Sequence, residues 1–145
     1  MSFQIHHLLQ ESCIELSEIS RCHVLLKNET TFPWLILVPV VDEHIEDLHH
    51  LPDTRYLEIM QLIRTVSGFV DGFFRPEKLN VGCIGNQVRQ MHIHVIARNP
   101  SDKAWPGVVW GADYIETEYT EDQISHIKNA FEQFLQTEDP ELKAQ

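Results

Sequence analysis

Cysteine is scarce in this chain: 145 residues include three, Cys13, Cys22 and Cys83. An odd count without the paired short spacings of a metal knuckle suggests neither a disulfide framework nor a zinc ribbon, and a reducing, cytoplasmic setting is the simplest expectation. Cations are also in deficit. Eleven Lys and Arg stand against 22 Asp and Glu, a formal charge of −11, which opposes the clustered positive surface that duplex nucleic acid requires. A small phosphorylated ligand held by a few local donors stays compatible with that balance. Long apolar runs are missing as well: residues 34–41 are far too few to span a bilayer, and the opening M-S-F-Q-I-H-H lacks a basic stretch followed by an apolar core. No membrane partner and no targeting segment are expected, and there is no internal repeat, low-complexity tract or linker.

What is present is enough for one ordinary core. A hydrophobic content of 43% over 145 residues fits one domain better than two, here expected over residues 1–137, with 138–145 as a frayed tail. The first forty residues read as extended segments, and the aliphatic, partly β-branched content of residues 22–26 and 35–38 suits buried strands. Asn28-Glu29-Thr30-Thr31 between them predicts a hairpin turn. The period then changes. Over residues 53–74, Tyr56, Ile59, Met60, Ile63, Val66, Phe69, Val70 and Phe73 fall at the three-and-four spacing of a helix with one buried stripe, and Asp53 is placed as its N-cap.

Residues 79–84 and 88–97 predict two further strands, antiparallel through a turn at Gly85-Asn86. Residues 99–113 carry Pro, Gly, Asp and two tryptophans, a loop with aromatic content. A final helix over residues 120–135 opens on Thr120-Glu121-Asp122-Gln123, a capping-box spacing, and presents Ile124, Ile127, Ala130, Phe131, Phe134 and Leu135 on one side.

The stretch R-Q-M-H-I-H-V-I-A-R, residues 89–98, concentrates the chemistry. Side chains two apart on a strand share a face, so Gln90, His92 and His94 are expected together on one side, with Met91, Ile93 and Val95 on the other. Two histidines so placed could be satisfied polar residues, two ligands of a metal that needs a third, or a nucleophile with its helper. For the last of these, an imidazole attacks phosphorus through one nitrogen while the other donates to a fixed acceptor. A glutamine beside them can orient an oxygen without titrating.

Q-M-H-I-H-V-I resembles the signature of the histidine triad (HIT) superfamily, three histidines alternating with apolar residues, with glutamine here in the first place. Leu26-Lys27-Asn28, a turn, then P-W-L-I-L-V-P at residues 33–39 is similar to the family's ribose-contacting strand and the aliphatic strand after it. The long helix, L-N-V-G-C-I-G-N and the histidine strand follow in the family's order. The resemblance runs from about Cys13 to Trp110, roughly two thirds of the chain, which lowers the chance-match risk of the short motif.

That resemblance implies an α+β, HIT-like fold: a mainly antiparallel sheet of about five strands, a long helix packed on it and a C-terminal helix near its edge. It implies a nucleotide hydrolase or transferase that cleaves a nucleoside monophosphate from its leaving group in a dinucleoside polyphosphate or nucleoside phosphoramidate. His92 would attack the α-phosphorus to give a nucleotidyl-histidine, and His94 would contact the phosphate or scissile oxygens, with Gln90 as third member. Asn28 would meet the ribose hydroxyls, Leu26 the base, and Asn86 and Gln87 the phosphate. No cofactor and no metal are implied, and a homodimer is. Two departures stand out: Gln90 cannot titrate at neutral pH, and Trp34 sits where many members carry a further histidine. The segment A-W-P-G-V-V-W-G, residues 104–111, resembles a tryptophan–proline element of one bacterial branch. The competing expectations are a nucleotide-binding protein with little turnover and a metal-binding domain.

Overall fold

The computed structural model describes residues 2–138; of the expected tail, residues 139–145 lie outside these. A short helix α1 (His7–Ser12) leads into β1 (Cys13–Ile19), β2 (Cys22–Lys27) and β3 (Trp34–Pro39). The long helix α2 (Asp53–Phe74) follows, then β4 (Lys78–Gly82), β5 (Ile93–Arg98) and α3 (Glu121–Glu138). The strands form one sheet in the order β1-β2-β3-β5-β4, every neighbouring pair antiparallel. This is the expected α+β architecture. Helix α1 is a difference: the sequence predicts extended chain there, and His6 caps six helical residues by accepting from the Leu8 amide at 3.1 Å.

Alternation along the strands sorts residues between the two faces. Val24 and Leu26 of β2, Leu35 and Leu37 of β3, and Ile93, Val95 and Ala97 of β5 join a core with Ile59, Val66 and Phe69 of α2 and Ile127, Phe131 and Leu135 of α3. Their neighbours Leu25, Trp34, Ile36, Val38 and Ile96 pack on the opposite face with Phe32, Leu9 and Val109. Helices α2 and α3 therefore cover one face, and the N-terminal segment with α1 and the tryptophan loop cover the other.

Helix α2 has the predicted bounds, but Pro52 occupies the N-cap position and Asp53 is the first helical residue. Its carboxylate still suits the positive end of the helix dipole. The buried stripe is rotated from the expected one: Tyr56 is 40% exposed, whereas Leu62 and Arg55 are buried. Arg55 goes inside because the β1–β2 turn needs its donors. Ser20 and Arg21 both take left-handed backbone angles (φ 46° and 53°) without a glycine, and Arg55 donates to both of their carbonyls, at 2.8 Å to Ser20. Helix α3 carries the predicted capping box, with the Gln123 amide donating to Thr120 Oγ1 at 3.2 Å and the Thr120 amide to Gln123 Oε1 at 2.9 Å. Among the described residues no helix is long and apolar enough to cross a membrane.

The strand expected over residues 88–97 is shorter and later. Pairing of β5 begins at Ile93 opposite Leu37, and on its other side Gly82 ends β4 opposite His94. Continuing the β3 register would set residue 91 against Pro39, which has no amide hydrogen to donate. The two-residue turn at Gly85-Asn86 is thus replaced by an irregular connection, residues 83–92, between two antiparallel strands.

Candidate active site

Lys27, Trp34 and His94 share the face of the sheet turned away from α2, and His92 enters the same space just before β5. They wall a cavity of about 520 Å³ together with Trp110 and Tyr114, and the irregular residues 84–88 form its rim. Both histidines are buried, at 6% and 7% exposure. Their rings stand 4.8 Å apart at 68°, and His94 also meets the rings of Trp34 at 5.6 Å and Trp110 at 5.4 Å. Trp110 is packed against Gly82, where a Cβ would come within 3.1 Å of the indole.

The hydrogen bonds assign the two imidazoles opposite tautomers. His92 Nδ1 lies 2.7 Å from the Gln90 carbonyl oxygen, which can only accept, so Nδ1 carries the hydrogen and Nε2 keeps a lone pair. His94 Nδ1 is 2.9 Å from Trp34 Nε1, and an indole N–H can only donate, so Nδ1 accepts and the hydrogen sits on Nε2. One ring thus offers a nucleophilic nitrogen and the other a donor. Among the described residues neither Nε2 has a hydrogen-bond partner. Burial pushes His92 below its ordinary pKa, although the Gln90 carbonyl opposes this and His6 adds to it. Burial, then the charges of His92 and Lys27, push His94 down to about 3. Both rings are neutral at pH 7.

The remaining predicted residues divide. Asn86 and Gln87 line the cavity. Gln90 does not: its side chain accepts from the His6 amide at 2.8 Å and donates to the Gln4 carbonyl at 2.9 Å, pairing with the N-terminal segment as a strand would. Leu26 is fully buried in the helix-side core, because alternation turns it away from the cavity that its neighbour Lys27 enters. Asn28 is engaged elsewhere, donating to Glu118 and accepting from the Tyr119 amide, both at 2.9 Å. The two arginines that flank residues 90–97 differ from each other. Arg98 is 2% exposed and binds Asp102, Asn80 and the Gly107 carbonyl, whereas exposed Arg89 pairs with Glu46. The Arg98 network anchors the loop that carries Trp110. Trp110, from the tryptophan–proline element, also lines the cavity, as do Lys27 and Tyr114, to which the sequence assigns no role; for Lys27 a signal is present, since it lies two residues from Leu25 on the same face.

Three metal-ligating atoms come within 4.8 Å of one another among the described residues at Asp47, His49 and His50, an exposed turn whose residues do not line the cavity. His92 and His94 gain no third ligand there.

A family model described as the HIT domain matches residues 11–101. Solved structures agree. A histidine triad protein from Marinobacter aquaeolei VT8 is 36% identical over 93% of this chain and 97% of its own, with a TM-score of 0.86. Another from Sinorhizobium meliloti 1021 is 30% identical over 92% and 98%, at 0.87. A third, from Bradyrhizobium japonicum, is 28% identical over 92% and 98%, at 0.86. No curated protein matches the chain. With a domain model covering well over half of its length and a relative of this identity end to end, the chain belongs to the HIT domain family.

Proposed function

We propose that the chain is a nucleotide hydrolase or transferase of this family, acting on a nucleoside monophosphate joined to a leaving group. His92 Nε2 attacks the α-phosphorus, the bond to the leaving group breaks, and a nucleotidyl-histidine forms. Water then attacks phosphorus, the P–N bond breaks toward His92, and the nucleoside monophosphate leaves as a proton passes to solvent.

The observation that carries this reading is the opposed tautomer pair. With Nδ1–H held by the Gln90 carbonyl, the charge that develops on His92 during attack is stabilised by an oxygen already in place. His94, which lines the cavity and is held by Trp34 with its hydrogen on Nε2, is a neutral donor for a phosphoryl oxygen. Asn86 and Gln87 add amides at the rim.

Gln90, in the first place of the triad pattern, favours a second reading. A side chain that cannot titrate and that pairs with the N-terminal segment contributes no proton transfer, as in a nucleotide-binding protein with little turnover. One assay separates the two. Wild type and His92→Ala are incubated with diadenosine tetraphosphate, adenosine phosphoramidate and adenylated lysine. Release of adenosine monophosphate by wild type, lost in the variant by at least ~10³-fold, is expected when a nucleophile is removed. Equal, negligible release with measurable nucleotide binding would establish the binding protein instead. Full activity in His92→Ala would overturn the nucleophile.

A further inference from the structure

The charge of the cavity runs against the charge of the chain. Asp and Glu outnumber Lys and Arg by 22 to 11 overall, yet no carboxylate lines the cavity, and Lys27 is its one formally charged wall residue among the described residues. The Lys27 ammonium rests over the Trp34 ring, 4.9 Å from its centroid, and the same indole donates to His94 Nδ1. None of the four ion pairs among the described residues includes it. An ammonium at a cavity wall with only an aromatic face against it retains donors for a ligand.

We propose that Lys27 selects an anionic leaving group, so that the site cleaves phosphoanhydrides in preference to phosphoramidates of amines. This rests on the nucleotidyl-transfer reading above and narrows its substrate class. Two independent features support it. A cationic amine leaving group, such as a lysine side chain, would meet the Lys27 charge with no carboxylate nearby to offset it, whereas a phosphate or polyphosphate would be held by it. The second feature is the lack of a carboxylic or imidazolium acid on the cavity wall among the described residues. When the P–O bond of an anhydride breaks, the electron pair goes to a phosphate oxygen whose conjugate acid has a pKa of about 6, so departure needs no proton. When a P–N bond to an amine breaks, the nitrogen must be protonated as it leaves. His94 stays neutral at pH 7, Gln90 is turned to residues 4 and 6, and among the described residues no Asp or Glu lines the cavity. The nucleotidyl-histidine needs no acid either, since with Nδ1 protonated it departs from phosphorus as neutral imidazole.

The test compares wild type with Lys27→Met and Lys27→Arg on two readouts. In kinetics, the ratio of kcat/KM for diadenosine tetraphosphate to that for adenylated lysine is expected to exceed one in wild type. It should fall on the order of tenfold in Lys27→Met and recover in Lys27→Arg, the size of one charge-assisted contact. In calorimetry on the His92→Ala background, Lys27→Met should weaken adenosine diphosphate on the order of tenfold more than adenosine monophosphate. A wild-type preference for the phosphoramidate, or a Lys27→Met variant that leaves both ratios unmoved, overturns the proposal. If no substrate is turned over and His92→Ala behaves as wild type, the hydrolase reading fails by itself, and a loss of diphosphate selectivity in Lys27→Met still supports the assignment of Lys27 as an anion-selecting residue.

Discussion

Phe69 and Phe131 meet edge to face at 5.0 Å on the helix-covered side of the sheet, and aliphatic strand residues fill the space beneath them. Across the same strands, Trp34, His94 and Trp110 meet at 5.4–5.6 Å, and each of these rings carries nitrogen. The geometry is similar and the chemistry is not. On the first side contacts are non-directional and the free energy follows buried area. On the second, contacts are set by who donates and who accepts, and that order decides which histidine nitrogen keeps a lone pair. One face stores stability and the other spends conformational freedom on orientation.

The largest effect that separates the faces comes from the dry one. Phe131 is fully buried, and Phe131→Ala should cost about 3–5 kcal/mol through lost burial and a residual cavity. Urea denaturation reads this, while turnover per folded molecule stays at the wild-type value. A comparable loss of turnover in the fraction still folded would show that the faces are coupled through the sheet.

Acid separates them next, because the titrating groups lie on the cavity side. His94 resists protonation until about 3 in the folded chain, whereas the unfolded chain takes up that proton near 6.5. The unfolded state therefore binds more protons between these values, so stability falls as pH drops from 6.5 toward 3. Asp102 acts lower. Its bonds to Arg98 hold it at about 2, against an ordinary 3.8, so its contribution is complete above 3.8 and is lost as pH falls through about 2. Denaturation midpoints at pH 7 and pH 4 should converge in His94→Gln relative to wild type, and Asp102→Asn should flatten only the limb below pH 4. An unchanged midpoint difference in His94→Gln would place the acid sensitivity elsewhere.

Trp34→Phe is a smaller break, confined to one hydrogen bond. It leaves His94 Nδ1 buried without its donor and frees the ring to exchange tautomers. We expect kcat to fall on the order of tenfold with KM changed by less than about threefold, since the lost contact orients a group at the reacting phosphorus. A KM effect alone would indicate that the indole serves nucleotide binding.

How much of this was legible in the sequence also follows the two faces. The bounds of α2 and the capping box of α3 could be read because spacing and caps are local. The alternation in β5 was legible too, and it correctly set His94 opposite Ile93 and Val95. Burial of Arg55 was not, since its cause is a turn that lies 34 and 35 residues away in sequence. Arg98 was hidden for the same reason, its carboxylate partner being supplied by a loop. On the cavity side the residue types were visible, but their partners depend on chain crossings: Trp34 meets His94 across 60 residues, and Gln90 meets Gln4 across 86. Strand parity alone predicted that Gln90 would join the histidines, and the end of β-pairing at Ile93 released it from that parity.

Gln90 supplies the finest test of the division, because its backbone and side chain serve different regions. The carbonyl orients His92, whereas the amide side chain holds residues 4 and 6. Gln90→Ala deletes the second function and keeps the first. Both side-chain bonds lie near the surface, so the loss in global stability should be about 1 kcal/mol or less. Hydrogen exchange at the His6 amide, which donates to Gln90 Oε1, should accelerate markedly while exchange in β5 is unchanged. Turnover should stay within about threefold of wild type, because the main-chain carbonyl still fixes the His92 tautomer. A fall of about a hundredfold, with His6 still protected, would mean that the glutamine side chain leaves the N-terminal segment and turns to the phosphate when substrate binds. Gln90 would then belong to the reacting face after all.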